Sequence, residues 1–283
     1  MAPPTYNDLG KSARDVFGQG YHFGLFKLDV KTKTNSDVEF CCGGVSNQDT
    51  GKVFGNLETK YKLKEYGLSF SEKWNTDNTL ATDVSIADKL LKGLTLGYSC
   101  TFTPQTGNKT GKLKTAYKHE NVSANADFDL SLSAGPLVYA SAVVGYQGWL
   151  CGYQASFDSQ RNKLTRNNFA VGFTASDFAV HTAVDNGRDF NSYIYHKVKP
   201  GLEGAINLAW NSSNNVTQFG IGAKYNLEND GAIRAKINSN LQIGLGYQQK
   251  LQDGVTLTFS TNIDGKNFGS GGHKYGVALD LQA

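Results

Sequence analysis

Leu94-Thr95-Leu96-Gly97-Tyr98-Ser99-Cys100-Thr101-Phe102 decides how the chain is read. Its odd-phase residues Thr95, Gly97, Ser99 and Thr101 are small or polar, and the intervening Leu94, Leu96, Tyr98, Cys100 and Phe102 are apolar. Successive side chains of a strand point to opposite faces, so this stretch predicts a strand with one apolar and one polar face. The same alternation recurs on both sides of it. Phe26, Leu28 and Val30 alternate with Lys27, Asp29 and Lys31; Val122, Ala124, Ala126, Phe128 and Leu130 alternate with Ser123, Asn125, Asp127 and Asp129. It persists to Tyr275, Val277, Leu279 and Leu281 near the end of the chain.

Turn signals separate these runs, among them Asn35-Ser36-Asp37, Asp185-Asn186-Gly187 and Asp253-Gly254. Together they predict about nineteen strands of roughly 7–10 residues joined by short hairpins. The fold class expected is all-β, with one exception at the start. Residues 6–17, YNDLGKSARDVF, predict a short amphipathic helix with Leu9, Ala13, Val16 and Phe17 on one face. Gly18, Gly20 and Gly24 then read as a hinge, dividing the chain into a helix-and-hinge segment, 1–24, and a strand region, 25–283.

Composition agrees with β structure. The chain of 283 residues has 32 Gly but only 5 Pro, and Pro removes a donor from a strand ladder. No stretch approaches the roughly 18 apolar residues of a membrane-spanning helix. The mean hydropathy of -0.39 is that of a soluble protein, yet a membrane barrel averages the same way, because lipid-facing and lumen-facing residues alternate. An up-and-down sheet of this many strands must close to remove its edges. A barrel that wide cannot be filled by side chains, so its lumen holds water and its apolar face turns outward, toward lipid. Alternation alone leaves a soluble β-sandwich, lectin or propeller open.

Other chemistry is poorly supported. The net charge of +3 is too small for a nucleic-acid partner. Cys41 and Cys42 fall on opposite strand faces, Cys100 and Cys151 lie alone, and the five His show no paired metal spacing. The run from Gly107 to Leu113 resembles a phosphate-binding loop but is one residue short and carries Leu113 where Ser or Thr is needed. No cofactor and no enzymatic activity are expected. The N-terminus shows neither a secretory signal nor the Arg- and Ser-rich character of a transit peptide.

Four longer stretches carry a family resemblance: PPTYNDLGKSARDVF, LETKYKLKEYGLSFSEKWNTDNTL, GYQGWLCGYQASFD and DGKNFGSGGHKYGVALDLQA. They resemble the mitochondrial voltage-dependent anion channels, or eukaryotic porins, from the N-terminus to residue 283. The resemblance implies a nineteen-stranded barrel in the mitochondrial outer membrane, a parallel pairing of first and last strands, and a helix inside the pore. It implies passage of ATP, ADP, phosphate and small metabolites with voltage-dependent closure. It also implies homo-oligomers and docking of hexokinase, the adenine nucleotide translocase and apoptosis regulators on a barrel embedded in a lipid bilayer.

Candidate site residues follow. Glu72 shares its phase with Tyr66, Leu68, Phe70 and Trp74, so it points at lipid, where an ionisable group is costly and is a functional candidate; the resemblance links the matching acid to dimerisation, hexokinase regulation and gating. Lys112, Lys114, Arg234 and Lys236 fall in the lumen phase, with Lys11 and Arg14 on the helix, as expected contacts of permeating nucleotide. The resemblance expects a further lysine near the hinge and another after Gly93-Leu94; Gln19 and Thr95 stand there instead. It also associates Leu241, Gly244, Leu245 and Gly246 with dinucleotide regulation.

Overall fold

The computed structural model describes residues 2–130, 135–269 and 271–283. Nineteen strands form one sheet, closed on itself: β1 (Leu25–Lys33), β2 (Val38–Asn47), β3 (Val53–Leu63), β4 (Leu68–Asn75), β5 (Leu80–Ala87), β6 (Leu94–Thr103), β7 (Asn108–Lys118), β8 (Val122–Asp129), β9 (Leu137–Tyr146), β10 (Trp149–Asp158), β11 (Lys163–Thr174), β12 (Phe178–Asp185), β13 (Asp189–Lys199), β14 (Leu202–Asn211), β15 (Val216–Asn226), β16 (Gly231–Asn238), β17 (Gln242–Gln252), β18 (Val255–Asp264) and β19 (Lys274–Gln282). Each pairs antiparallel with its sequence neighbours, as short hairpins require. An odd count leaves β1 and β19 running the same way, and they close the barrel as a parallel pair from Phe26↔Val277 to Lys31↔Gln282.

The alternation read from sequence is the phase observed. Phe26 and Leu28 on β1, Tyr98 on β6, and Phe219 and Ile221 on β15 stand exposed on the outer face. Large exposed aliphatic and aromatic side chains surround the barrel, far beyond the few-hundred-Å² apolar patch of a water-soluble monomer. Trp149 sits at the start of β10, at one rim, while Trp74 and Trp210 close the ends of β4 and β14 at the other. The indoles of Trp74 and Trp210 donate to Asn78 and Asn215, 3.4 and 3.1 Å away, both left-handed turn residues. Such amphipathic rings at both ends of a strand set are the aromatic girdles of a membrane barrel.

Two local expectations need correction. The N-terminal helix is not continuous over 6–17. A 3-10 turn at Tyr6–Asp8 ends at Gly10, whose φ of +68° breaks the helical path, and α1 runs Lys11–Gly18. Gly18 therefore belongs to the helix, and the hinge begins at Gln19. Tyr66 does not share a strand with Glu72: it lies in a 3-10 turn, Lys64–Tyr66, and left-handed Gly67 precedes β4.

Candidate functional site

The lumen is lined by the polar phase of the strands and narrowed by the N-terminal segment. Leu9 is buried against Val143 and Ala170, while Ala13 and Val16 are buried against Ala205. The wall makes room with glycines. A Cβ on Gly152 would lie 2.9 Å from Leu9 Cδ1, and one on Gly222 would lie 3.2 Å from Val16 Cγ1 and 3.1 Å from Phe17 Cε1. Leu9 and Val16 each contribute about 1.5–3 kcal/mol to seating the helix, and the Ala13 methyl less. Lys11 and Arg14 occupy the opposite face and stand exposed to the open lumen. Lys11 lies 3.6 Å from Asp8, and Arg14 donates to the carbonyl of Asn7. The side-chain hydrogen bond from Thr5 holds the Asp8 carboxyl below its usual range.

Past α1, residues 19–24 run along the inner wall over β16–β19. Here the glycines of the lumen phase receive a backbone. A Cβ on Gly246 would come within 2.8 Å of the Gly20 carbonyl oxygen, and one on Gly244 within 2.8 Å of the Phe23 ring. A Cβ on Gly276 would collide with the carbonyl of His22, whose own N–H donates to Ser260 Oγ at 2.9 Å. Lys236 fastens this strap. Its amine donates to the carbonyl of Phe17 at 2.6 Å and lies 4.0 Å from the Tyr21 ring centroid. Arg234 is buried, 7% exposed, beneath Gly20.

The six bases expected to contact nucleotide therefore divide. Lys11 and Arg14 face the open lumen. Lys112 and Lys114 line its wall, paired with Asp129 at 3.5 Å and Asp83 at 3.1 Å. Arg234 and Lys236 lie under the strap. The four residues of the dinucleotide reading do not share a surface. Gly244 and Gly246 are covered by the strap, Leu245 faces outward, and Leu241 is a left-handed residue in the β16–β17 turn. Gln19 lines a mouth cavity of about 1140 Å³ with Lys27, Asp29, Lys31 and Asp280; Thr95 lines a smaller one of about 290 Å³ with Asn7, Lys114 and Asp127.

Part of the lumen charge is paired. Lys27–Asp29, Lys60–Glu58 at 3.1 Å, Lys224–Glu203 at 3.5 Å and Lys274–Asp49 join the two pairs already named. Such pairs leave little local field a Debye length of about 8 Å away. Among the described residues, Lys31, Lys73 and Lys118 make no ion pair, nor do Glu39, Asp127 and Asp280. On the helix, Lys11 pairs with Asp8, and Arg14 makes no ion pair among the described residues.

Glu72 lies near the middle of β4 on the outer face, in phase with exposed Phe70 and Trp74. Its cross-strand partners are Thr59 on β3 and Thr82 on β5. Among the described residues it makes neither ion pair nor hydrogen bond.

Sequence reading overlooked His181. It is 8% exposed on β12 and packed beneath Gly10, and among the described residues neither ring nitrogen has a hydrogen-bond partner. Its only signal was a place in the lumen phase beside the helix glycine, which becomes visible once the register with Gly172 is known.

The family profile described as eukaryotic porin matches residues 2–276. The chain is a eukaryotic porin. A relative from Drosophila melanogaster, named a voltage-dependent anion-selective channel, is 59% identical to this porin over 283 residues, covering all of both chains. The non-selective voltage-gated ion channel VDAC2 of Xenopus laevis is 57% identical, covering 99% of each, and that of Homo sapiens is 55% identical, covering 99% of this chain and 95% of its own. Among solved structures, a mutant of the Rh. blastica porin superposes with a TM-score of 0.50 at 9% identity, covering 92% of this chain and 96% of that one. The likeness to that porin is one of fold.

Proposed function

We propose that this porin is a voltage-gated, weakly anion-selective channel of the mitochondrial outer membrane, passing ATP, ADP, phosphate and small metabolites by diffusion. The observation that carries the reading is a closed barrel whose polar strand phase lines the lumen, with Arg14 of the docked helix and Lys31 and Lys73 of the wall facing it. A wide pore in screening salt discriminates by net fixed charge, not by size, so it biases flow toward anions without excluding cations. The names of the relatives support voltage gating, and that of the Drosophila melanogaster relative supports anion selectivity, whereas the Xenopus laevis VDAC2 is named non-selective. No residue is assigned a catalytic role. Reconstitution in a planar bilayer tests it: the expected result is a large conductance that falls at either voltage extreme, with a reversal potential in a salt gradient on the anion side. Cation preference in the open state would overturn it.

A second role is favoured by Glu72 alone. An acid exposed on the lipid face, with no partner among the described residues, is a costly feature, and it suits a docking or dimerisation surface for a second barrel or for partners such as hexokinase, the adenine nucleotide translocase or apoptosis regulators. Recovery of such partners from mitochondria with the native chain and not with Glu72→Gln would support it.

A further inference from the structure

The β5–β6 turn differs from every other turn at its mouth of the barrel. It reads Asp88-Lys89-Leu90-Leu91-Lys92-Gly93, and Leu90 and Leu91 are 71% and 55% exposed. Among the described residues, no other turn at this mouth carries two adjacent exposed aliphatic side chains. The turn has a defined shape. Asp88 is left-handed at φ +59°, its N–H donates to the carbonyl of Leu94 at 3.0 Å, and Leu94 N–H donates to Leu91 at 3.0 Å. The Asp88 carboxylate accepts the Gly93 N–H at 2.7 Å. The turn's one acid is thus directed into its own backbone, while Lys89 and Lys92 are exposed and, among the described residues, in no ion pair.

Position supplies the rest. The outward side chains of the two strands below, Ile86, Leu94 and Leu96, belong to the lipid-facing band, so the leucine pair continues that band past the end of the strands. Exposed Tyr66 stands on the adjoining β3–β4 turn, and the β7–β8 hairpin abuts through the Lys118 N–H on the Gly93 carbonyl at 2.9 Å. Glu65 and Glu120 are the acids on the flanking turns. An apolar pair between two cations at the end of membrane-spanning strands matches the interfacial layer of a bilayer, apolar beneath and anionic above.

We propose that the β5–β6 turn anchors this sector of the rim in the bilayer, with Leu90 and Leu91 inserted beside the wall and Lys89 and Lys92 binding the headgroups of anionic phospholipids. Each lysine at an anionic surface is worth about fivefold in lipid occupancy, about 1 kcal/mol.

The test uses the full chain in vesicles of phosphatidylcholine and phosphatidylglycerol. Leu91→Trp adds a fluorophore, read as the difference from the native chain with its Trp74, Trp149 and Trp210. The expected result is a signal quenched by lipids brominated high on the acyl chain and shielded from aqueous iodide. Brominated phosphatidylglycerol should quench more than brominated phosphatidylcholine at equal mole fraction, and the pair Lys89→Glu with Lys92→Glu should erase that difference at unchanged single-channel conductance. Quenching by iodide and not by brominated lipid would overturn the anchor, because the turn would then stand in water, open to a soluble partner. Equal quenching by the two lipid classes would overturn the anionic headgroup assignment.

Discussion

The amine of Lys236 closes the C-terminal end of the pore helix by donating to the Phe17 carbonyl, 2.6 Å away across 219 residues of chain. A cation there satisfies a carbonyl the helix cannot satisfy itself and meets the negative end of its dipole. The Tyr21 and Phe23 rings, 4.0 and 5.2 Å from the same amine, make the contact a clasp between helix, strap and wall.

Lys236→Met should therefore release the helix end and leave the barrel intact. A hydrogen bond to a charged group contributes about 1.5–3 kcal/mol, so the undocked population should rise by about tenfold or more. A spin label near Arg14 would report the added mobility. Lys236→Arg should retain most of the docking, because it keeps the charge and the ring contacts. Unchanged label mobility in the Met variant would show that the buried Leu9, Ala13 and Val16 hold the helix without the clasp.

Gly222→Val tests the groove from the wall side. A Cβ there already lies 3.1 Å from Phe17 and 3.2 Å from Val16, and two further methyls have no space. Overpacking typically costs about 1–3 kcal/mol, and the loosely held element is the one that yields. Limited proteolysis should cut the N-terminal segment faster while the strands stay protected. The same change at Gly44, where a Cβ meets nothing, should leave the helix seated.

The architecture was legible because the barrel repeats one simple signal: Leu94 to Phe102 show the same two-residue period as the other strands, and several hairpins are announced by turn residues such as Asp185-Asn186-Gly187. The site was less legible. Phase placed Gly244, Gly246, Arg234 and Lys236 correctly toward the lumen, but phase carries no information on what lies over a lumen residue. The strap that covers them comes from residues 19–24, more than two hundred positions away, and only closure of the barrel brings the two together. Gly10 was lost for a related reason. Its left-handed backbone interrupts a pattern whose apolar spacing is otherwise helical, because the break lets Leu9 reach Val143 and Ala170 while Ala13 and Val16 reach Ala205.

His22 makes the strap sensitive to acid. Desolvation, then the nearby charge of Lys27, pushes its pKa below the ordinary value of 6.5. The folded state therefore binds fewer protons than the unfolded one, and its stability rises with pH. The penalty is absent well above pH 6.5, grows as pH falls through the unfolded value, and is complete below the folded one. Hydrogen exchange of the strap amides should accelerate as pH falls from 7 toward 5, after correction for the intrinsic pH dependence of exchange. His22→Gln should flatten that response. A response unaltered by this variant would place the acid sensitivity elsewhere.

Lys114→Glu should move ion selectivity. It replaces a paired lysine with a second acid beside Asp83, which lies 3.1 Å from the native amine, and so changes the lumen charge by two units. The like charges lie within a Debye length of permeating ions and of each other. The reversal potential in a salt gradient should shift toward cations with little loss of conductance. Lys114→Gln should shift it by about half as much.

Glu72→Gln tests whether the outward acid is ionisable within the lipid layer. The side chain lies between Thr59 and Thr82 on neighbouring strands, and no cation pairs with it among the described residues. A hydrophobic carbodiimide, which partitions into lipid and reacts with carboxyl groups, should label the native chain at this position and leave the Gln variant unlabelled. Single-channel conductance should stay the same, because the side chain is on the wall opposite the pore. The amide should also stabilise the folded barrel, by less than about 2 kcal/mol, since acids on a lipid face cost less than bases at the same depth. Labelling undiminished in the variant would place the reactive carboxyl elsewhere, and a conductance change would mean that Glu72 acts on the lumen through the wall.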